Sequence, residues 1–382
     1  MKILIAGDFF ISDDYNGLAY SDQKWSKNKV CFLSTISSVD YRIINLEAPI
    51  TNKDDPKNKI LKTGPHLRMS EEVAIKHLNE LNIDCVTMAN NHILDYGVEG
   101  VNDTFDILSN NNISYVGAGE NLSEAAKPLV IKNNGVKVAL VNFCENEWSI
   151  AESDSPGANP MDIIDNANQI KYARELADYV IVIVHGGHEY YNLPSPRMQK
   201  QYRFYADQGA DIVVGHHTHC ISGNEVYNSV PIYYSLGNFL FTKNAANPDW
   251  YTGLILEIDW KEDQLKTTLH PVCQEKETFK LYLPKGKEQE EIFNRVQSYS
   301  EIIQDESLLK RSWEQYISLK TGEYLNYWSP SSFVKNRFLR GVLNKLGIDF
   351  KNKKGLSLFL NLMRCEAHSD LSKEIINKYL NK

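Results

Sequence analysis

Residues 211–219 read Asp211-Ile212-Val213-Val214-Gly215-His216-His217-Thr218-His219, a strand-length apolar run that breaks into three imidazoles within four residues. A short continuous run of β-branched residues is the mark of a strand buried on both faces, as in a parallel sheet. In α/β sheets the chemistry collects at the carboxyl ends of such strands.

Four other runs end in the same way. Lys2–Ala6 passes through Gly7 to Asp8, and Arg42–Leu46 ends in Glu47. Cys85–Ala89 ends in Asn90-Asn91-His92, with Asp95 just beyond, and Tyr179–Val184 ends in His185. Brought to one edge, Asp8, Glu47, Asn91, His92, His185, His217 and His219 combine carboxylates, an amide oxygen and imidazoles. That set suits Zn²⁺, Mn²⁺ or Fe²⁺. Two such ions about 3.5–4 Å apart can share a carboxylate and activate water for attack on phosphorus. Each residue alone has a plainer reading. An acid at a strand end often caps a helix or shapes a turn, and Asn tolerates left-handed backbone. A lone His after a strand is more often a hydrogen-bonded rim residue than a ligand. Five strand ends of this kind in one chain favour the joint reading.

Helical patterns separate the runs. Ser70, followed by Glu71 and Glu72, predicts a capped helix to about Asn82. Further helices are expected over Gly100–Asn111, Ile163–Ala177 and Pro196–Gln208, and further strands over Val136–Asn142, Glu225–Tyr227, Pro231–Tyr234 and Leu254–Trp260. Strands alternating with helices predict an α/β fold. Near Leu283-Pro284-Lys285-Gly286 the texture turns helical and more charged, so residues 1–283 are expected to form the α/β domain and 284–382 a helical C-terminal extension with no proposed ligands.

Composition narrows the function classes. The chain has 382 residues, 42% hydrophobic and 24% charged, with a net charge of −8. That balance argues against nucleic-acid or membrane binding through bulk charge. The opening apolar stretch is too short for a signal-peptide core, and the apolar runs are too short to span a membrane. The six cysteines (Cys31, Cys85, Cys144, Cys220, Cys273, Cys365) form no Cys-x-x-Cys pair. Reduced, buried thiols in a cytoplasmic protein are therefore expected.

At the strand-end residues the sequence resembles the CapA family, named for capsule and poly-γ-glutamate synthesis proteins. The resemblance covers about residues 1–241. It rests on Gly7-Asp8, Asn45-Leu46-Glu47-Ala48-Pro49-Ile50, Ala89-Asn90-Asn91-His92 with Asp95-Tyr96-Gly97, and Gly117-Ala118-Gly119. It continues through His185-Gly186-Gly187 with Glu189-Tyr190, Gly209-Ala210-Asp211 to His219, and Ser235-Leu236-Gly237-Asn238-Phe239. That family is similar to the calcineurin-like metallophosphoesterases, which implies a two-sheet sandwich flanked by helices.

The resemblance also implies roles. Asp8 corresponds to the opening ligand and Glu47 to the bridging carboxylate. Asn91 and His185 correspond to ligands of the second ion, and His217 and His219 to the closing pair, one for each ion. His92 corresponds to the catalytic acid; Asp95, one helical turn away, is spaced to orient it. One or two divalent transition ions (Mn, Zn or Fe) are implied. So are a phosphoesterase-type hydrolase activity on an anionic small molecule or polymer, and a setting among capsule-synthesis proteins. Phe10 stands where the wider superfamily has a His, and Glu47 where it has an Asp. The second ion is therefore expected to bind more tightly than the first. Two other readings stand beside this one: a non-catalytic assembly factor, and hydrolysis of an amide such as a γ-glutamyl bond with the same metals.

Lys62, His66 and Arg68 flank a Gly64-Pro65 turn, and with Asn238 they are candidate substrate-binding residues. Residues 335–354 interleave seven basic residues with apolar ones at helical spacing. This stretch is either a solvated helix face or a contact with a membrane surface.

Overall fold

The computed structural model describes residues 1–15, 39–62, 64–261, 264–327 and 353–380. In chain order the strands are β1 (Lys2–Phe10), β2 (Tyr41–Leu46), β3 (Cys85–Thr87), β4 (Ser114–Val116), β5 (Ala118–Gly119), β6 (Leu129–Asn133), β7 (Val136–Cys144) and β8 (Gly157–Ala158). They continue with β9 (Tyr179–His185), β10 (Ile212–His216), β11 (Asn224–Tyr227), β12 (Val230–Tyr233), β13 (Asn238–Phe241), β14 (Thr252–Lys261), β15 (Gln264–Gln274) and β16 (Leu281–Tyr282). The helices are α1 (Glu71–Glu80), α2 (Gly97–Asn110), α3 (Leu122–Ala125), α4 (Ile163–Leu176), α5 (Pro196–Asp207), α6 (Lys287–Gln304), α7 (Glu306–Tyr327), α8 (Lys353–Arg364) and α9 (Glu366–Leu380).

One sheet runs β16-β15-β14-β1-β2-β3-β4, with β13 also beside β1; the other runs β11-β12-β10-β9-β7-β6. β1 through β4 are parallel, as are β7, β9, β10 and β12. Side chains alternate across each strand, which sorts the residues into layers. Ile3, Ile5, Ile43 and Cys85 meet Val138, Leu140, Ile181, Ile183, Ile212 and Val214 between the two sheets. Leu4, Ala6, Ile44 and Val86 face Ala74, Leu78, Val101 and Phe105 of α1 and α2. Val180, Val182 and Val213 face Ile170 of α4 and Met198 and Tyr202 of α5. The result is the expected two-sheet sandwich between helical layers.

Local signals set the helix starts. Asp162 caps α4 by accepting from the amides of Ile164 and Asp165, and Ser195 caps α5 by accepting from Met198. Ser70 differs from expectation: its side chain makes no capping bond, and its amide donates to Asp13 Oδ1 at 2.7 Å. The second helix starts at Gly97, not Gly100.

The C-terminal helices do not stand apart. Ile292 and Val296 of α6 join the layer between the sheets, and Ile303 packs with the α4–α5 layer. Trp313, Ile317, Tyr324, Leu362, Leu371 and Ile375 form a further small core. Arg197 of α5 ties it down, pairing with Asp370 of α9 and, at 2.7 Å, with Glu145. Of the basic stretch 335–354, residues 335–352 lie outside the described residues.

Candidate metal centre

The period of two that builds the strands also aims the site. Asn45 and Glu47 share the parity of Ile43, and His185 that of Ile181 and Ile183, so all three belong to the side between the sheets. Asp8 would fall on the other face by simple alternation. Register shifts on both sides of it, against β2 and β13, re-aim it. The chain can pass there because residue 7 is glycine: a Cβ would sit 1.8 Å from the Gly237 carbonyl oxygen. After β10 the backbone turns sharply, with His217 at φ 90° and His219 at φ 54°. Both are left-handed, a cost of order 1–3 kcal/mol each that clusters at functional sites.

Two triads result. Asp8, Glu47 and His219 can converge on one ion, and Glu47, His185 and His217 on another. His185 Nε2 lies 3.0 Å from both Asn91 Oδ1 and His217 Nδ1, and 3.8 Å from Glu47 Oε1. His219 is 3.4 Å from Asp8 Oδ2 and 3.5 Å from Glu47 Oε1. Glu47 belongs to both triads. It is fully buried, and neither carboxylate oxygen has a hydrogen-bond partner among the described residues. An unpaired buried carboxylate is expensive, and a cation removes the cost. The donor set therefore fits one or two divalent ions.

Electrostatics agree. Burial lifts Glu47 well above the usual carboxylate range, with Asp8 adding and His219 opposing. Burial also acts to raise Asp8, but its hydrogen bond and charge contact with His219 hold it lower. His219 is opposed by burial, yet Glu47 and Asp8 carry it up to about 10. Burial, then the neighbouring His217, His216 and His219, keep His185 well below its ordinary value, in the neutral form that binds metal.

His92 and Asp95 meet as expected, with His92 Nδ1 2.6 Å from Asp95 Oδ2. Lys62 is buried with them, on Asp95 and 3.1 Å from His92 Nδ1. His66 instead contacts the Ile60 carbonyl at 2.8 Å, and Arg68 pairs with Asp13 and the Thr51 carbonyl; neither lines the cavity beside the site. Asn238 receives its role from His219, 2.9 Å from its Oδ1, while its amide donates to Trp250. That cavity, about 290 Å³, is lined by Asn91, His92 and His217 on the core side and by Tyr316, Lys320, Tyr324 and His368 from the C-terminal helices. A larger groove of about 850 Å³ between α5 and α7 holds none of the strand-end residues.

Sequence reasoning missed three residues here. Asn45 Nδ2 is 2.8 Å from Asp8 Oδ1. Glu147 Oε1 is 3.8 Å from His217 Nε2. His216 is fully buried, its Nδ1 3.8 Å from Asp8. Parity could have found Asn45, two residues before Glu47; nothing local marked Glu147.

Two packed sheets whose strand ends gather carboxylates, an amide and imidazoles around a buried Glu define an α/β sandwich with a candidate metal centre. The profile of the family described as bacterial capsule synthesis protein PGA_cap matches residues 2–243, and the chain belongs to that family. It is 39% identical over 205 residues to the PGA biosynthesis protein CapA of Bacillus subtilis (strain 168), covering 53% of each chain. It is 37% identical over 224 residues to the capsule biosynthesis protein CapA of Bacillus anthracis, covering 55% of this chain and 54% of that one. The chain thus spans about half the length of the curated relatives it matches. A phosphatase from Mycoplasma pneumoniae aligns with 15% identity and a TM-score of 0.42 over 73% of this chain and 95% of its own. The family match contains every strand-end residue and stops short of the C-terminal helices. Among the described residues no helix is long and apolar enough to cross a membrane.

Proposed function

We propose that the strand-end cluster holds one or two divalent transition ions and that the protein is a phosphoesterase-type hydrolase serving capsule or poly-γ-glutamate synthesis. Glu47 carries this reading, because a fully buried carboxylate without a hydrogen-bond partner stands between two ligand triads. Asp8, Glu47 and His219 would hold one ion, and Glu47, Asn91, His185 and His217 the other. When bound, such ions polarise an electrophile and lower the pKa of water.

The remaining work falls to the chain. His92 lines the cavity and delivers a proton to the leaving group. Asp95 holds the His92 ring by Nδ1, and the Leu67 amide, 2.7 Å from Asp95 Oδ2, holds Asp95 in turn. Lys62 offsets the charge of Asp95. An anionic substrate finds Lys320 on the opposite wall.

The test is metal analysis of protein prepared without chelators, followed by hydrolysis of bis(p-nitrophenyl) phosphate with Mn²⁺. Wild type should turn over, and His92→Ala should keep its metal and lose activity. Protein that carries and binds no transition metal would end this reading. A non-catalytic assembly factor is the rival, favoured by Phe10: its ring packs on Phe241 with centroids 5.0 Å apart, where a further imidazole would otherwise serve the first ion. Full metal loading without turnover of any phosphoester would favour the rival.

A further inference from the structure

The C-terminal helices return to the core beside the strand-end centre, and they bring metal-ligating chemistry with them. Glu147 lies in the segment after β7. Cys365 sits at the break between α8 and α9, and His368 in the first turn of α9. Their ligand atoms lie within 4.8 Å of one another. His368 Nε2 is 3.9 Å from Glu147 Oε1. A tetrahedral zinc ion with bonds of about 2.0–2.3 Å spaces its ligands roughly 3.3–3.8 Å apart, so side-chain adjustments of up to about 1.5 Å close the site.

The surroundings favour a cation. Cys365 is 1% exposed, and its Sγ lies 3.9 Å from Glu145 Oε2. Burial pushes the thiol well above its ordinary value, and Glu145, Glu147 and Glu366 add to the effect. The other two acids are served by hydrogen bonds. Glu145 accepts from Arg197 at 2.7 Å and from the Gly187 amide at 3.1 Å, and Glu366 accepts from the Asn146 side chain at 2.5 Å. Glu147, also buried, accepts a long bond of 3.4 Å from Asn91. His368 is oriented from behind, its Nδ1 2.9 Å from the Tyr324 hydroxyl, as outer-sphere partners orient ligating imidazoles.

We propose that Glu147, Cys365 and His368 form a zinc site, separate from the strand-end centre, that clips the C-terminal helices onto the α/β core. Cys365 binds as thiolate and its proton leaves to solvent, so uptake releases one proton. Three protein ligands leave a fourth position for water. The clip has a reach beyond its own ligands. Tyr324, hydrogen-bonded to His368, walls the strand-end cavity, and Glu147 Oε1 lies 3.8 Å from His217 Nε2. Loading the clip therefore positions one wall of the cavity. Cys365 and His368 both lie beyond the residues matched by the family.

Cobalt(II) titration of the full-length protein separates the two centres. Thiolate-to-cobalt charge transfer absorbs strongly in the near ultraviolet and requires a cysteine ligand; the strand-end centre has none. Wild type should develop that band with about one equivalent of Co²⁺, beside the weak visible d–d bands of any cobalt at the strand ends. Cys365→Ser should abolish the near-ultraviolet band and His368→Gln should weaken it severely, with the visible bands retained. Zinc content of the purified protein should fall by one equivalent in both variants. Visible bands without any charge-transfer band in wild type, or a band that survives Cys365→Ser, would overturn the proposal. A charge-transfer band in wild type with no visible signal left after Cys365→Ser would instead count against the strand-end metals and leave the clip standing.

Discussion

The side-chain amide nitrogen of Asn45 lies 2.8 Å from Asp8 Oδ1. The same nitrogen is 3.2 Å from His185 Nδ1, so one amide on β2 joins a carboxylate of its own sheet to an imidazole of the other. Asn45 holds two proposed ligands without being one. Asn45→Ala should weaken metal binding by about 10–100-fold, the usual effect of removing such a partner. Metal titration by calorimetry measures it, and unchanged affinity would show that the ligands need no such support.

Glu47→Gln should separate stability from binding. Burial raises the Glu47 pKa well above the usual carboxylate range, so a neutral amide of the same shape should change apo stability by no more than about 1 kcal/mol. Metal-dependent stabilisation, about 2.7 kcal/mol at one hundred times the dissociation constant, should vanish. Thermal melts of wild type and variant, with EDTA and with Mn²⁺, report both quantities. Wild-type melting indifferent to both additions would exclude a metal site at the strand ends.

Lys62 is a buried structural cation. It sits on Asp95 and lies 3.1 Å from His92 Nδ1, and burial followed by the opposing pull of Asp95 leaves its pKa below the ordinary lysine value. Lys62→Met strands part of the charge of Asp95 and should cost on the order of 3 kcal/mol in urea unfolding. The double variant Lys62→Met/Asp95→Asn should lose less than the sum of the singles. Strict additivity would mean the pair is not coupled.

His188 should make stability depend on acid. Burial first, then the charges of His368 and Arg197, hold it well below the ordinary histidine value, and its ring packs on Trp313 with centroids 5.1 Å apart. The unfolded chain takes up the proton below about pH 6.5, whereas the folded ring does not. Stability from this group is thus complete above that pH and is lost as pH falls. His188→Phe keeps the stacking and removes the titration, so its melting temperature should decline less than wild type between about pH 6.5 and 5. Parallel melting curves would exclude the assignment.

The strand ends were legible because the signal is local. A run such as Val180–Val184 can only be a strand buried on both faces, and the residue that leaves it, His185, must stand at a sheet edge. Asp8, Glu47, Asn91, His92, His185, His217 and His219 were singled out in that way, and His92 lies 2.6 Å from Asp95. His66 and Arg68 carried only the signal of charge near a turn, and charge alone does not say what it faces. In the folded chain they meet a carbonyl and Asp13.

What the sequence determined by itself is the alternation of strands and helices, the family, and which polar residues stand at the strand ends. The first and last follow from periodicity and residue chemistry and the family from its motifs, none of which needs knowledge of distant neighbours. Tertiary structure decided what depends on pairing and packing across the chain. The bulge that turns Asp8 inward exists because β1 is paired on two sides with different registers. The division of the site between two sheets follows from which strands pair, since β1, β2 and β3 lie in one and β9 and β10 in the other. The return of α7, α8 and α9 to wall the cavity joins His368 to Glu147, 221 positions apart in the sequence. Such contacts are set by long-range burial of apolar faces, and a linear pattern carries the propensity for each face but not the choice of its partner.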